Sequence, residues 1–266
     1  MLQHKKRSQD LPFAMKPTSL PTIIVPARLA SVRFPRKLLA DAGGKPLILR
    51  TAERLRLEVP EYDVFFAVDG HELAEPLQKE GFSVLLTDPE LSSGTDRIAQ
   101  ANQSLRRKRI LNVQADEPMV ERSHILALGD ALSKEGASMS TLAAPFECEE
   151  DFLDPNQVKV VLDRKGYAIY FSRAAIPHRR DRADESRRSG NNFGLKHLGM
   201  YGYDSSFLES FSTWNQGFLE EIENLEQLRA LENGCRIGVS IVAKATIGVD
   251  HPGDLDELDF ADLSDS

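Results

Sequence analysis

Only two cysteines occur among the 266 residues, Cys148 and Cys235, and neither belongs to a C-x-x-C pair. That excludes a disulfide-held scaffold and a thiolate metal site, and it fits a protein of the reducing cytoplasm. A basic excess is missing as well. The formal net charge is -8, which excludes a general nucleic-acid binder, since such proteins need a cationic face to neutralise phosphates. Small basic pockets for a single anion remain open. No apolar run approaches the ~18 residues of a membrane span, so no membrane insertion is expected. The first 20 residues are polar, carry Lys5, Lys6 and Arg7, and hold no hydrophobic stretch of signal-peptide length. A flexible arm is expected over residues 1–20, with Met15 as an alternative start, and an acidic tail over 259–266. Internal repeats and low-complexity tracts are also lacking.

What is present is enough apolar material for one packed body: 41% of the residues are hydrophobic. Strand-like and helix-like runs alternate. Strands are expected at Thr22–Pro26, Tyr62–Val68, Phe82–Leu86, Arg109–Val113 and Met139–Ala144. Helices are expected between them at Pro46–Leu57, His71–Glu80, Thr95–Leu105 and Ser123–Ser133. This order implies an α/β fold with a mostly parallel, Rossmann-like sheet and helices on both faces. After Pro145 the rhythm changes. A hairpin is expected from Val158–Leu162 and Tyr167–Phe171 around Asp163-Arg164-Lys165-Gly166. A charged, flexible insert comes next at Pro177–Asn192, then a strand at Lys196–Tyr203. One amphipathic helix is expected over Phe218–Leu231, with Ile222, Leu225, Leu228 and Leu231 on its apolar face, and a last strand at Cys235–Ala243. A single domain is expected over 21–258, with a first part at about 21–145 and added strands forming a second part at about 146–240.

The segment Pro26–Lys37, PARLASVRFPRK, leaves the first strand with three cations, Arg28, Arg33 and Lys37. Loops at the carboxyl ends of parallel strands are where open α/β sheets bind ligands, and clustered cations there suit a nucleoside triphosphate. The plainer alternative is a solvated basic loop. Asp116, in Asp116-Glu117-Pro118, comes after the fourth strand and faces the same crevice. Magnesium takes one or two carboxylates together with phosphate oxygens and water, which Asp116 suits; capping the next helix is the alternative. Asp250, in Gly248-Val249-Asp250-His251-Pro252, is a second candidate, equally readable as a cap. The turn Ser92-Ser93-Gly94-Thr95-Asp96-Arg97 enters a helix, and its N–H groups suit an anion or a base edge. In the second half, Arg173 can grip a carboxylate, while Tyr201, Glu223 and Gln227 can hydrogen-bond hydroxyls. Glu223 and Gln227, four apart, would share a helix face. Each has a structural alternative: an ion-pair partner for Arg173, a core histidine for His197, a wet helix face for the other two.

Seven segments in order, IIVPARLASVRFPRK, SSGTDR, NVQADEP, NQVKVVLDRKGYAIYFSRAAIP, KHLGMYGY, LEEIENLEQLRAL and GVDHPGDL, resemble the CMP-Kdo synthetase (3-deoxy-manno-octulosonate cytidylyltransferase) family from Thr22 to Leu258. The resemblance implies a nucleotidyltransferase fold and a homodimer, with the hairpin near Tyr167–Arg173 close to the dimer contact. It implies transfer of CMP from CTP to the anomeric hydroxyl of an eight-carbon sugar acid, releasing pyrophosphate, for lipopolysaccharide synthesis. By that likeness Arg28, Arg33 and Lys37 hold the triphosphate, and Arg28, Lys37, Asp116 and Asp250 carry the chemistry. Ser93, Gly94, Thr95, Arg97 and Gln114 contact the cytidine, and Asp116 and Asp250 hold Mg2+. Arg173, His197, Tyr201, Glu223 and Gln227 line the sugar pocket. The chain departs from the family pattern at Arg36 and Ala115, where glycine is usual, at Leu38, where proline is usual, and at His178, where an aromatic residue is frequent. If the Ala115 position needs a left-handed backbone, alanine costs ~1–2 kcal/mol there. Competing readings are a cytidylyltransferase for 8-amino-Kdo or a sialic-type acid, and a nucleotide-binding protein without turnover.

Overall fold

A computed structural model describes residues 20–31, 34–178, 180, 193–258 and 260. Four strand–helix units open it: β1 (Thr22–Ala27), α1 (Leu47–Glu58), β2 (Val64–Val68), α2 (His71–Lys79), β3 (Ser83–Leu86), α3 (Gly94–Leu105), β4 (Arg109–Asn112) and α4 (Arg122–Leu132). The second half holds β5 (Ala137–Pro145), α5 (Glu149–Leu153), β6 (Lys159–Leu162), β7 (Ala168–Ser172), β8 (Leu195–Asp204), α6 (Ser205–Phe211), α7 (Phe218–Glu223), α8 (Gln227–Glu232) and β9 (Arg236–Ile241). The expected arm through residue 19, Arg33, and nearly all of the Pro177–Asn192 insert lie outside the described residues. So does all of the expected tail but Phe260.

Side-chain alternation along β1 sets the layers. Ile23, Val25 and Ala27 enter one hydrophobic core with Leu47, Ile48, Leu55 and Leu73 of α1 and α2. Ile24 faces the other way, into a second core with Ile98 of α3 and Tyr203, Phe207 and Phe211 from β8 and α6. A strand covered on both faces must be apolar at every position, and β1 is buried throughout.

Among the described residues the strands form one sheet in the order β3-β2-β1-β4-β8-β5-β9, with β6 joined to β8 and to its hairpin partner β7. The pairs β1–β2, β1–β4, β2–β3 and β5–β9 are parallel. Strand β8 runs antiparallel to both β4 and β5. The carboxyl ends of β1, β4, β5 and β9 therefore open on the same edge. The basic loop, the Asp116 loop and the Asp250 segment leave from three of these ends.

The hairpin forms as expected, with Asp163 N–H bonded to Tyr167 O at 2.8 Å and Gly166 at φ 77°. The helix expected over Phe218–Leu231 does not. Asn224 takes a left-handed conformation, φ 51° and ψ 51°, and splits it into α7 and α8. Asparagine tolerates that region better than most residues, and the apolar period across it conceals the break. Leu225 and Leu228 are buried as expected, but Ile222 is 66% exposed. Glu223 and Gln227 thus sit on different helices, and the shared face expected of them does not exist. Helices α5 and α6 carry no expectation from the sequence pattern; the three acids opening α5, Glu149, Glu150 and Asp151, are the available signal, since carboxylates favour a helix N-terminus.

The departures from the family pattern acquire physical meaning. Arg36 is left-handed, φ 57° and ψ 28°, which is why glycine is usual there. Ala115 does not share that strain. It lies outside the left-handed region, its methyl is buried in the first core, and its carbonyl accepts the Thr51 hydroxyl at 2.8 Å. Leu38 is likewise a core residue. Arg36 also pairs with Glu72, but both side chains are exposed, and such pairs contribute ~0–1 kcal/mol. Arg36→Gly relieves the strain, and a net gain of about 0.5–1 kcal/mol is expected, measured as a higher urea midpoint with unchanged slope.

Candidate active site

Three chain segments meet at the sheet edge. The first begins where Leu29 N–H bonds Asp69 Oδ2 at 2.8 Å, fixing the exit from β1 to the end of β2. It ends in a short 3-10 turn, Lys37–Leu39, anchored by buried Leu38. The second is the loop after β4. The third is the stretch after β9, held to the second by Val249 N–H bonding Asp116 O at 3.0 Å. Lys37 joins all three. Its ammonium donates to Asp116 Oδ2 at 2.5 Å and to Val249 O at 2.6 Å, and Asp250 Oδ1 lies 3.7 Å away.

Neither aspartate is a helix cap. Helix α4 opens at Glu121, whose N–H bonds the His124 ring at 3.0 Å. At the 3-10 turn Pro252–Glu257 it is Asp254 that reaches back, accepting the N–H groups of Asp250 and His251, each at 2.7 Å. Asp116 and Asp250 are left facing the crevice.

Two cavities lie along this edge. The larger, about 710 Å3, is lined by Pro26, Ala27, Arg28, Ser93, Gly94 and Gln114 on its sheet side, and by residues of α7 and α8 opposite. The smaller, about 370 Å3, is walled by Asp116, Glu117, Tyr201 and Asp250. Gln114 lines both, fixed by a 3.0 Å bond from Nε2 to Gly199 O. Both volumes suit small-molecule ligands.

Ser93 caps α3, accepting Asp96 N–H at 3.0 Å. Arg97 lines the larger cavity, but its guanidinium is spent on the Thr87 hydroxyl at 2.5 Å and Asp88 O at 3.2 Å; burial pulls its pKa down. Thr95 is buried, and its hydroxyl donates to Glu226 Oε2 at 2.7 Å. Thr95 thus supports the turn from behind.

The five residues expected around the sugar divide into two groups. Arg173 does not present a free fork. Its Nε bonds Glu223 O at 2.8 Å, and its other nitrogens reach Pro155 O at 3.2 Å and Asn224 O at 3.4 Å. Glu223 in turn accepts the Ser172 hydroxyl at 2.6 Å and Arg173 N–H at 2.9 Å. This pair bolts the end of α7 to the end of β7. His197, Tyr201 and Gln227 form the second group. Tyr201 donates to Gln227 Oε1 at 3.3 Å, and its ring centre is 5.5 Å from that of His197. His197 Nε2 lies 3.0 Å from the Thr141 hydroxyl, and burial lowers its pKa to about 3. Of the five, only Tyr201 lines one of the two cavities.

Sequence reasoning missed Glu117, Glu226 and the ion pair of Glu220 with Arg229. Glu117 neighbours Asp116 in the same motif, which was signal enough. Burial, then the negative charges of Asp116 and Asp250, push its carboxyl up to about 7. Its Oε2 is buried without a hydrogen-bond partner among the described residues. Between the ordinary value of 4.5 and 7 the native state keeps a proton that the unfolded chain has lost, so stability falls as pH rises through that window. Glu117→Gln removes this slope. Its melting temperature in metal-free buffer should gain on the parent's as pH rises from 4.5 to 7 and exceed it at pH 8. His197 acts with opposite sign. Unfolded, it takes a proton below its ordinary 6.5, so stability falls as pH drops from there towards 3, in parent and variant alike.

The donors at this edge fit a magnesium ion. Among the described residues no three His, Cys, Asp or Glu side chains form a metal cluster. The two carboxylates gathered at one ammonium match an ion that takes few protein ligands and completes its shell with phosphate and water.

A family model described as cytidylyltransferase matches residues 22–237. A 3-deoxy-manno-octulosonate cytidylyltransferase of Geobacter sulfurreducens is 42% identical over 242 residues, covering 89% of this chain and 97% of that one. One of the same name from Thermodesulfovibrio yellowstonii is 41% identical over 241 residues, covering 88% and 94%. A solved structure of CMP:2-keto-3-deoxy-manno-octonic acid synthetase complexed with CTP superposes with a TM-score of 0.81 at 32% identity, over 90% of this chain and 96% of that one. A cytidylyltransferase from Leptospira borgpetersenii, at 14% identity and a TM-score of 0.55 over 91% of each chain, shares the fold.

Proposed function

The chain belongs to the 3-deoxy-manno-octulosonate cytidylyltransferase family, and we propose that it transfers CMP from CTP to the anomeric hydroxyl of 3-deoxy-manno-octulosonate (Kdo). Pyrophosphate leaves, and the product is CMP-Kdo for lipopolysaccharide synthesis. The observation that carries this reading is the meeting of Lys37, Asp116 and Asp250 at the strand ends, beside two cavities that share Gln114.

The larger cavity takes the nucleotide. Arg28, Arg33 and Lys37 hold the triphosphate, while Ser93, Gly94 and Gln114 surround the cytidine, with Thr95 and Arg97 bracing that turn. The smaller cavity brings the sugar hydroxyl to the α-phosphorus past Gln114. Tyr201 meets the sugar, supported by Gln227 and by the neutral ring of His197. Arg173 and Glu223 act from behind, fixing the end of α7, which walls the nucleotide cavity. Both substrates are anions, so their approach is costly in a cleft of low dielectric. The cations offset this, and the fixed walls align the attack. No side chain serves as a covalent nucleophile. Asp116 and Asp250 hold Mg2+, which when bound supplies charge neutralisation at the phosphates and lowers the pKa of the attacking hydroxyl.

A homodimer belongs to the same proposal, with the β6–β7 hairpin near the contact. Ile169 on β7 is 58% exposed, an apolar surface suited to burial against a second copy; sedimentation of the full chain tests it. We place the reaction in the cytoplasm, where CTP is made. Among the described residues no helix is long and apolar enough to cross a membrane.

Pyrophosphate release tests the reaction, with CTP and each other nucleoside triphosphate offered with Kdo, 8-amino-Kdo, a sialic-type acid or no sugar. Release is expected only with CTP, Kdo and Mg2+ together. Faster release with another acid reassigns the acceptor. CTP binding with no release for any acid overturns the proposal in favour of a protein without turnover.

A further inference from the structure

The Lys37 ammonium sits where two carboxylates and a backbone carbonyl converge. Asp116 Oδ2 lies at 2.5 Å, Val249 O at 2.6 Å and Asp250 Oδ1 at 3.7 Å. Three hard oxygens around one positive charge are the environment that magnesium also selects. The side chain is only 11% exposed, so it is enclosed in this place rather than resting near it. Its backbone is fixed, because Leu38 beside it is buried in the core and the turn is closed by Leu39 N–H to Arg36 O at 2.9 Å. Only the flexible stem of Lys37 is free to relocate the charge. The backbone keeps the two carboxylates near each other, because Val249 N–H bonds Asp116 O at 3.0 Å, and Asp250 is the next residue. A cation between them offsets their repulsion.

We infer that Lys37 is an internal placeholder for the metal: its ammonium holds Asp116 and Asp250 together in the nucleotide-free protein, and yields that place when a metal-bound triphosphate offers it another anion. This rests on Asp116 and Asp250 being the metal carboxylates. The consequence is coupling. A metal ion entering the empty crevice must expel Lys37 into a site with no phosphate to receive it, so metal alone binds weakly. When the triphosphate arrives, the ammonium moves from carboxylate to phosphate, and metal and nucleotide enter as one event. Linkage makes the effect reciprocal, with each ligand tightening the other by the same factor.

The test is Mn2+ binding to the full chain, tracked by the loss of the free-ion paramagnetic resonance signal, with neither nucleotide nor sugar present. Lys37→Met should bind Mn2+ about 5–150-fold more tightly than the parent, the usual range of a coupling between sites. Arg28→Met removes an equal charge from the larger cavity without touching either carboxylate, and should change Mn2+ binding less than twofold. Asp116→Asn added to Lys37→Met should abolish the gain. When CTP is added, the tightening of Mn2+, corrected for the Mn2+ that free CTP binds, should be larger in the parent than in Lys37→Met. Equal Mn2+ affinity in parent and Lys37→Met overturns the inference. So does a gain in Arg28→Met as large as that in Lys37→Met, which would mark a general field rather than an occupied place. Lys37→Gln replaces Lys37→Met if the latter fails to give a cooperative melt. The nucleotide-free comparison remains readable even if CTP does not bind, an outcome that would sink the proposed reaction alone.

Discussion

Asp116→Asn should lower turnover by about three powers of ten, because in the proposed role it is one of two metal carboxylates, whose loss removes several kcal/mol of transition-state stabilisation. The change deletes a charge and almost no volume. Asp116 is partly exposed and outside both cores, and its carbonyl still receives Val249 N–H. Folding should therefore change by about 1 kcal/mol, since the pair is only partly buried and the Lys37 ammonium keeps Val249 O and Asp250. Melting temperature and pyrophosphate release, measured together, separate the two effects. Asp250→Asn should lose comparable turnover with even less change in stability, since Asp250 is the more exposed of the two. The two losses should not add, because groups that hold one ion act as a unit. If Asp116→Asn turns over at near the parental rate, the carboxylate has no part in the chemistry.

That prediction depends on a placement which the sequence carried well. Buried strands and their carboxyl-end loops are local features. Ile23 to Val25 is apolar because both faces of β1 are covered, and the loop beyond such a strand is polar because it leaves the sheet. Arg28, Lys37 and Asp116 were legible for that reason. Asp250 was legible only as a candidate just after the last strand, equally readable as a cap. It reaches the crevice because β9 lies parallel to β5, which depends on β8 entering antiparallel between β4 and β5. Strand pairing across such sequence distances leaves no periodic trace.

The second half was harder for a related reason. The apolar spacing of Leu225, Leu228 and Leu231 continues smoothly across Asn224, so periodicity cannot register a residue whose conformation reverses the path. The break at Asn224 changes what the side chains do. It leaves the end of α7 with exposed carbonyls, and two of them, from Glu223 and Asn224, are taken by Arg173. Arg173, expected to grip a carboxylate, has its three nitrogens on backbone carbonyls that the break exposes or brings near. Ala115 shows the converse. In sequence it read as a replacement of glycine, strained only if the position were left-handed, whereas its backbone is ordinary and its methyl fills core space.

The same break delivers the element on which stability depends most steeply. Beyond Asn224 the chain turns back, so that Arg229 of α8 meets Glu220 of α7 in a two-pronged ion pair, with Nε to Oε2 at 2.7 Å and Nη2 to Oε1 at 2.6 Å. Both are buried in the far wall of the larger cavity. The guanidinium also lies 4.6 Å from the Phe211 ring centre and raises its own pKa by bonding Glu220. Glu220→Gln keeps the shape and deletes the charge, stranding a cation that has little water to replace it. Breaking one side of a buried pair typically costs ~3–5 kcal/mol, a large share of the ~5–15 kcal/mol that holds a domain folded. Glu226, 3.8 Å from Arg229, supplies partial compensation, so about 3 kcal/mol is expected, read as a lower urea midpoint. The double variant Glu220→Leu with Arg229→Met should recover most of that loss, because a buried pair replaced by apolar groups of similar volume is often neutral. It should melt cooperatively with an apolar patch in the nucleotide wall, so CTP affinity in the double variant measures what the pair contributes to the ligand rather than to the fold. A single Glu220→Gln variant as stable as the parent would mean that water or Glu226 already satisfies Arg229, and that the pair is not the brace holding α7 against α8.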